Sequence, residues 1–75
     1  MKTIQISLNS IDKVKSFVND ITKFDNDFDL VSGRYVIDAK SIMGIFSLDL
    51  LSPIDLVAHT ENADALFEGI KKFIV

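Results

Sequence analysis

Few residues in this sequence could do chemistry, and two serines stand out because each precedes apolar residues with helical spacing. Ser41 is followed by I-M-G-I-F-S-L, a segment without charge, and Ser10 is followed by an amphipathic pattern that begins at Ile11. A serine hydroxyl at such a position accepts a hydrogen bond from a free backbone N–H of the first helical turn. The same free N–H groups favour anions, so a phosphate on Ser41 would be well tolerated.

The other candidates do not indicate catalytic or metal chemistry. His59 is the only histidine, strand alternation places it on a solvent-facing sheet surface next to Asp55 and near Glu61, and no second metal ligand lies at suitable spacing. The acidic segment Asp25–Asp29 suggests a calcium loop, but it lacks the glycine and terminal glutamate of an EF-hand, which favours a polar turn. We therefore expect no metal, no cofactor and no enzyme activity.

Composition favours a single packed domain over residues 1–75. Hydrophobic residues make up 48% of the chain and charged residues 25%, which is typical of a globular protein rather than a disordered one. The absence of cysteine excludes disulfides and thiol chemistry, and the net charge of −3 argues against nucleic acid as a partner. No signal peptide or apolar run of about 20 residues is visible, so we expect a cytoplasmic protein that does not bind membranes.

Periodicity predicts the order strand, helix, strand, strand, short helix, strand, helix. The alternation in the strands favours an antiparallel sheet with one open face, and the fourth strand is expected between the first two. The predicted fold class is α+β, an open-faced β-sandwich with a four-stranded antiparallel sheet (βαββαβα) and three helices on one face. The predicted strands are Lys2–Leu8, 28–32, 34–39 and 54–59. Two predicted helices begin after Ser10 and Ser41, and the third spans 63–74.

The short helix after Ser41 cannot bury all of its apolar side chains. It makes about two turns, and a helix that lies on a sheet buries only one side. Some of Ile42, Met43 and Phe46 should therefore remain exposed, and exposed Met and Phe together are typical of adaptable docking surfaces. The alternative is that Ile45, Phe46 and Leu48 belong to the core and that Met43 fills a gap in it.

Residues 40–48, K-S-I-M-G-I-F-S-L, closely resemble the K-S-I-M-G-V-M-S-L signature of HPr, the small phosphocarrier of the bacterial sugar phosphotransferase system. The predicted order of elements is also that of HPr, so the resemblance covers essentially the whole chain. It implies that Ser41 is the regulatory site phosphorylated by an HPr kinase/phosphorylase, and that the phosphoserine form binds a catabolite-control repressor. It also implies that Ile42, Met43 and Phe46 form a docking patch for enzyme I, the kinase and the repressor.

The family's second motif, G-I-H-A-R-P, has no counterpart here. Its histidine carries the phosphate and its arginine assists. Counting back from Ser41 without gaps places Ser10 at the histidine and Asp12 at the arginine, whereas a second register pairs Ile11 and Asp12 with the family's Ile-His. Neither register contains a histidine, and a serine ester is too stable to relay phosphate. In this respect the chain resembles Crh-like members of the family, which lack the histidine and keep the serine.

The sequence supports one leading hypothesis and two alternatives. The leading hypothesis is a non-catalytic regulatory protein of carbon catabolite regulation that binds protein partners and is switched by phosphorylation at Ser41. The first alternative is an HPr-fold interaction or oligomerisation module in which Ser41 is only a helix cap. The second is an atypical phosphocarrier that uses Ser10, Asp12 or His59.

Overall fold

Four short strands and three α-helices follow one another in the predicted order in the computed structural model, which describes residues 1–75. The last helix is followed by a 3₁₀ turn at Lys71–Phe73. No helix has the length and apolar character that crossing a membrane requires. The strands are β1 (Lys2–Ile6), β2 (Phe28–Ser32), β3 (Tyr35–Asp38) and β4 (Ile54–Ala58), and the helices are α1 (Ile11–Ile21), α2 (Ile42–Phe46) and α3 (Asp64–Gly69).

The strands form one antiparallel sheet in the order β1-β4-β2-β3. The predicted insertion of β4 between β1 and β2 is therefore confirmed. β2 and β3 are joined by a tight hairpin at Gly33, whose φ of 60° lies in the left-handed region that glycine adopts without strain. β3 is the outer strand at one side of the sheet, and β1 is the outer strand at the other.

One sheet face carries the core, and its residues follow the predicted alternation. In β4, Ile54, Leu56 and Ala58 are buried, whereas the residues between them are partly exposed. α1 packs its apolar side against this face, and its Phe17 meets Phe73 edge to face with ring centroids 5.6 Å apart. All 17 buried residues are apolar, so burial of hydrophobic surface holds the helices on the sheet.

The C-terminal helix ends earlier than its helical spacing predicts. α3 has six residues, and the predicted continuous helix over 63–74 is wrong in its second half. The end of the chain instead forms hydrogen bonds with β1 and with Ser7, which follows it. The Ser7 N–H donates to the Phe73 carbonyl at 2.8 Å, and the Val75 N–H donates to the Gln5 carbonyl at 3.2 Å. These strand-like hydrogen bonds replace the helical ones and protect the outer edge of β1.

Candidate functional site

Ser41 begins α2 and is held there by the backbone of the preceding loop. Its N–H donates to the Asp38 carbonyl at 3.0 Å, and the Lys40 N–H donates to Asp38 Oδ1 at 3.0 Å. Ser41 itself is extended, and its Oγ accepts a hydrogen bond from the Gly44 N–H at 3.2 Å. The predicted N-cap is therefore confirmed, and the hydroxyl is fixed at the helix end where free N–H groups point outward.

The side chain of Lys40 ties the loop before α2 to Phe24 and Phe28. Its Nζ donates to the Phe24 carbonyl at 2.6 Å and lies 5.4 Å from the centroid of the Phe28 ring. Its charge is therefore engaged in tying the loop to the body of the protein. The first turn of α2 contains no acidic residue, so an anion on Ser41 would meet backbone N–H groups without a repelling carboxylate on that helix.

Gly44 belongs to the candidate site by position, and the sequence pattern did not indicate it. A Cβ at this position would lie 3.1 Å from Ser41 Oγ and 3.3 Å from Ile37 Cδ1, closer than a side chain ordinarily approaches. A glycine is therefore the residue that leaves room around the Ser41 hydroxyl while its own N–H closes the cap. The spacing S-x-x-G at a helix start is the signal that could have identified it.

The apolar side chains of α2 divide between core and surface. Ile45 is fully buried, whereas Met43 is 78% exposed and Phe46 is 40% exposed. Ile42 is half-buried. Ile42, Met43 and Phe46, called here the α2 patch, therefore leave apolar surface in solvent, which confirms the expected exposure. Ile45 and Leu48 are buried, as the alternative interpretation required, whereas the exposure of Phe46 and Met43 contradicts it.

Two further apolar residues are exposed that the sequence analysis did not place on the surface. Leu51, which follows α2, is 89% exposed. Ile11 was expected on the inner side of α1 but is 63% exposed, because it is the first helical residue and precedes the turn in which Val14 packs on the core. α1 and α2 are in contact, so Ile11 and the α2 patch belong to adjoining helices.

Ser10 begins α1 in a similar way but in different surroundings. Its Oγ accepts a hydrogen bond from the Lys13 N–H at 3.1 Å, which confirms the predicted cap. Asp12 lies in the same first turn and adds a negative charge. No histidine and no arginine is present at this helix start. A shallow depression of about 240 Å³ is lined by Asp12, Lys13, Ser16, Lys72 and Phe73.

His59 lies on the open sheet face, as expected, but its partner differs from the one predicted. Its Nε2 is 2.7 Å from Asp29 Oδ2, and its backbone N–H donates to the Asp27 carbonyl at 3.0 Å. The contact is thus with β2 rather than with Asp55 or Glu61, because the pairing of β2 with β4 brings Asp29 beside the end of β4. No group of three or more His, Asp or Glu side chains could hold a metal ion.

His59 and Ser10 lie at opposite ends of the sheet. β1 pairs antiparallel with β4 such that Ile6 lies opposite Ile54, so the chain leaves β1 for Ser10 near the N-terminal end of β4. His59 follows the C-terminal end of the same strand. A strand of five residues spans about 17 Å, so the imidazole cannot replace a side chain at the start of α1.

No protein-family model and no curated protein matches the chain, but solved structures do. HPr-C-His from Thermoanaerobacter tengcongensis is 24% identical with a TM-score of 0.79, covering 99% of this chain and 91% of that one. The phosphocarrier protein HPr from Bacillus anthracis str. Ames is 26% identical with a TM-score of 0.73, covering 99% and 94%. The histidine-containing phosphocarrier protein of Mycoplasma is 18% identical with a TM-score of 0.71, covering 95% and 86%.

The fold is that of the HPr phosphocarrier proteins. Ser10 and Ser41 each cap a helix of this fold. The two helix starts nevertheless differ in chemistry. Ser10 is exposed beside the Asp12 carboxylate, whereas Ser41 is half-buried beside the α2 patch.

Proposed function

We propose that this chain is a non-catalytic regulatory protein of the bacterial sugar phosphotransferase system, which binds protein partners through α2 and is switched by phosphorylation of Ser41. The observation that carries the proposal is the position of the Ser41 hydroxyl. It caps α2 through the Gly44 N–H at 3.2 Å and begins the helix that exposes Met43 and Phe46. One partner could therefore contact both the phosphorylated oxygen and the apolar side chains.

A phosphate on Ser41 would change the surface without unfolding the helix. It adds about 1.5 to 2 negative charges and three acceptor oxygens, which the free N–H groups of the first turn favour. The Gly44 N–H already points at this position, and the space beside it is kept open by the absence of a Cβ. The modification would thus place a dianion beside the α2 patch and alter the choice of partner through charge rather than through refolding.

Relay of phosphate through the start of α1 is not part of the proposed function. A relay needs a phosphoramidate, which retains a high transfer potential, and Ser10 could form only a stable ester. The Asp12 carboxylate in the same turn would repel an incoming phosphate. His59 lies at the far end of β4 and is bonded to Asp29. An atypical carrier that uses any of these residues is the least favoured function.

The proposed partners are proteins that read an HPr-like surface. They are an HPr kinase/phosphorylase that modifies Ser41, a catabolite-control repressor that binds the phosphoserine form, and an enzyme I-like surface that contacts the α2 patch. The net charge of −3 supports protein rather than nucleic-acid partners. These partners act in the bacterial cytoplasm, which is the proposed location of this protein.

The alternative is an interaction or oligomerisation module without phosphorylation. It is favoured by the cap itself, because a serine that only caps α2 would make the same hydrogen bond to Gly44. The α2 patch would then bind its partner constitutively. The two functions differ in whether Ser41 is a substrate.

The test is incubation with an HPr serine kinase and ATP, followed by intact mass spectrometry. The proposal predicts one added phosphate that Ser41→Ala abolishes. Ser47→Ala is the matched control, because Ser47 lies at the opposite end of α2, where its hydroxyl donates to the Gly44 carbonyl. Phosphorylation should persist in that variant. An unchanged mass, or a phosphate that survives Ser41→Ala, would favour the module without a switch.

A further inference from the structure

β3 presents an open sheet edge that the rest of the chain leaves uncovered. At the opposite side of the sheet, the C-terminal end of β1 is covered, because Gln5 and Ser7 form hydrogen bonds with residues 73–75. β3 has β2 on one side and no strand on the other. Its residues Tyr35 and Val36 are 67% and 63% exposed, so the edge combines unpaired backbone groups with apolar side chains. Such an edge is suited to pairing with another strand.

The pairing with β2 determines which backbone groups of β3 point outward. The Ala39 N–H donates to the Phe28 carbonyl at 2.9 Å, and the register places Ile37 opposite Leu30. Backbone groups alternate in direction along a strand, so the odd-numbered residues of β3 bond to β2. Both the N–H and the C=O of Val36 therefore face away from the sheet, as does the N–H of Asp38.

These outward groups match a second copy of the same strand about a two-fold axis at Val36. In this antiparallel register the two Val36 residues exchange both hydrogen bonds, and each Asp38 N–H meets the Arg34 carbonyl of the other copy. In the same register Tyr35 lies opposite Ile37, and Arg34, the hairpin residue that precedes β3, lies next to Asp38 of the other copy. Opposite charges and aromatic–aliphatic pairs in these positions stabilise a sheet.

The charges of the edge are free to make these contacts. Neither Arg34 nor Asp38 takes part in a salt bridge within the chain, and both residues are exposed. The Asp38 Oδ1 accepts from the Lys40 N–H, which leaves its second oxygen available. In this register position 34 of one copy faces position 38 of the other. Like charges at these two positions would therefore repel, whereas Arg34 and Asp38 attract each other.

We propose that β3 pairs with β3 of a second copy of this chain, centred on Val36, to form a continuous eight-stranded sheet. The interface is short, and contacts well below about 1,200 Å² are typical of weak, transient complexes. We therefore expect the dimer to have a dissociation constant on the order of 0.1 mM or weaker. This inference does not depend on phosphorylation of Ser41, which lies outside the paired strand.

The first test is sedimentation equilibrium of the full chain up to millimolar concentration. The apparent mass should rise from 8.4 kDa toward twice that value. Val36→Pro should keep the monomer mass throughout, because proline removes an N–H that points away from β2 and so leaves the β2–β3 ladder intact. Circular dichroism checks that this variant is folded. A wild-type chain that stays monomeric, or a Val36→Pro variant that still dimerises, would overturn the proposal.

The second test uses charge reversal and does not depend on proline. Arg34→Asp and Asp38→Arg should each weaken self-association by about tenfold or more, because each places like charges opposite one another. The double variant with both changes should regain the wild-type association. An equimolar mixture of the two single variants should also associate, since each supplies the charge that the other lacks. Equal association in all of these samples would contradict the Val36-centred register.

Discussion

The starts of α1 and α2 use the same local device and differ in everything around it. Ser10 Oγ accepts from the Lys13 N–H at 3.1 Å, and Ser41 Oγ accepts from the Gly44 N–H at 3.2 Å. α1 then continues for 11 residues and buries three of them, whereas α2 has five residues and buries one. A capped N-terminus is therefore not what distinguishes the two sites. What distinguishes the second site is the apolar surface that its short helix leaves exposed.

The same difference sets what each helix requires of the residue that caps it. α1 is anchored by Val14, Phe17 and Ile21, so the residue that begins it needs only to accept a hydrogen bond. Serine meets that need as well as any other cap. α2 has a single buried anchor, and its Gly44 approaches the capping hydroxyl closely. The cap at Ser41 is therefore more closely surrounded than the cap at Ser10.

The largest expected effect is on stability, where Phe17 of α1 and Phe46 of α2 should differ. Phe17→Ala should lower the free energy of unfolding by about 3 to 5 kcal/mol, because Phe17 is fully buried against Phe73. Phe46→Ala should cost less than about 1 kcal/mol, since 40% of Phe46 is exposed. Urea unfolding measures both. Equal losses would mean that Phe46 is a core residue and not part of a docking patch.

Phe46→Ala should affect binding of a partner strongly although it costs little stability, because Phe46 belongs to the exposed α2 patch. Phe46→Ala is expected to weaken binding of the kinase by about tenfold, as truncation of an apolar anchor in an interface does. Isothermal titration calorimetry measures the change. Ile11→Ala is the comparison on α1, where the side chain is similarly exposed but lies outside the α2 patch. A larger loss with Ile11→Ala would move the docking surface to α1.

Removing the two caps should have similar effects on stability and different effects on modification. Ser10→Ala and Ser41→Ala should each cost about 1 kcal/mol of unfolding free energy, because each leaves one N–H of a first helical turn without its partner. Only Ser41→Ala should prevent phosphorylation by the kinase. Chemical denaturation and intact mass, measured on the same samples, separate the two roles. Loss of phosphorylation in Ser10→Ala would contradict the assignment.

Gly44→Ala tests whether phosphorylation of Ser41 requires the open space beside its hydroxyl. The better helix propensity of alanine opposes crowding of its Cβ at 3.1 Å from Ser41 Oγ, so stability should change by less than about 0.5 kcal/mol. The rate of phosphorylation should fall by about tenfold or more, because the hydroxyl is displaced from its position. Gly69→Ala is the control, since a Cβ there meets the Phe24 ring and not a serine. Equal rates in both variants would remove Gly44 from the site.

The smallest effect is expected at His59. Its contact with Asp29 is on the open sheet face, with 38% and 37% of the two side chains exposed, and such pairs contribute about 0.2 to 1 kcal/mol. His59→Ala should therefore change stability by less than about 1 kcal/mol and leave phosphorylation of Ser41 unchanged. Asp55→Asn provides a control on the same strand. A loss of phosphate acceptance in His59→Ala would restore the histidine to a functional role.

Features set by neighbouring residues were predictable, and features set by distant strands were not. Both serine caps and the exposure of Met43 follow from spacing over a few residues, and these predictions are confirmed. The Asp29 partner of His59 depends on the register between β2 and β4, which the sequence pattern does not specify. The early end of α3 has the same origin, since the hydrogen bonds that replace it come from β1.

The proposed function requires that this protein accept phosphate at the start of α2 and not at the start of α1. One experiment tests both halves: parallel incubation with serine kinase and ATP, and with enzyme I and phosphoenolpyruvate, each read by intact mass before and after acid treatment. We expect one acid-stable phosphate in the first sample, absent from Ser41→Ala, and none in the second. An acid-labile phosphate acquired from enzyme I, or no phosphate from the kinase, would contradict it.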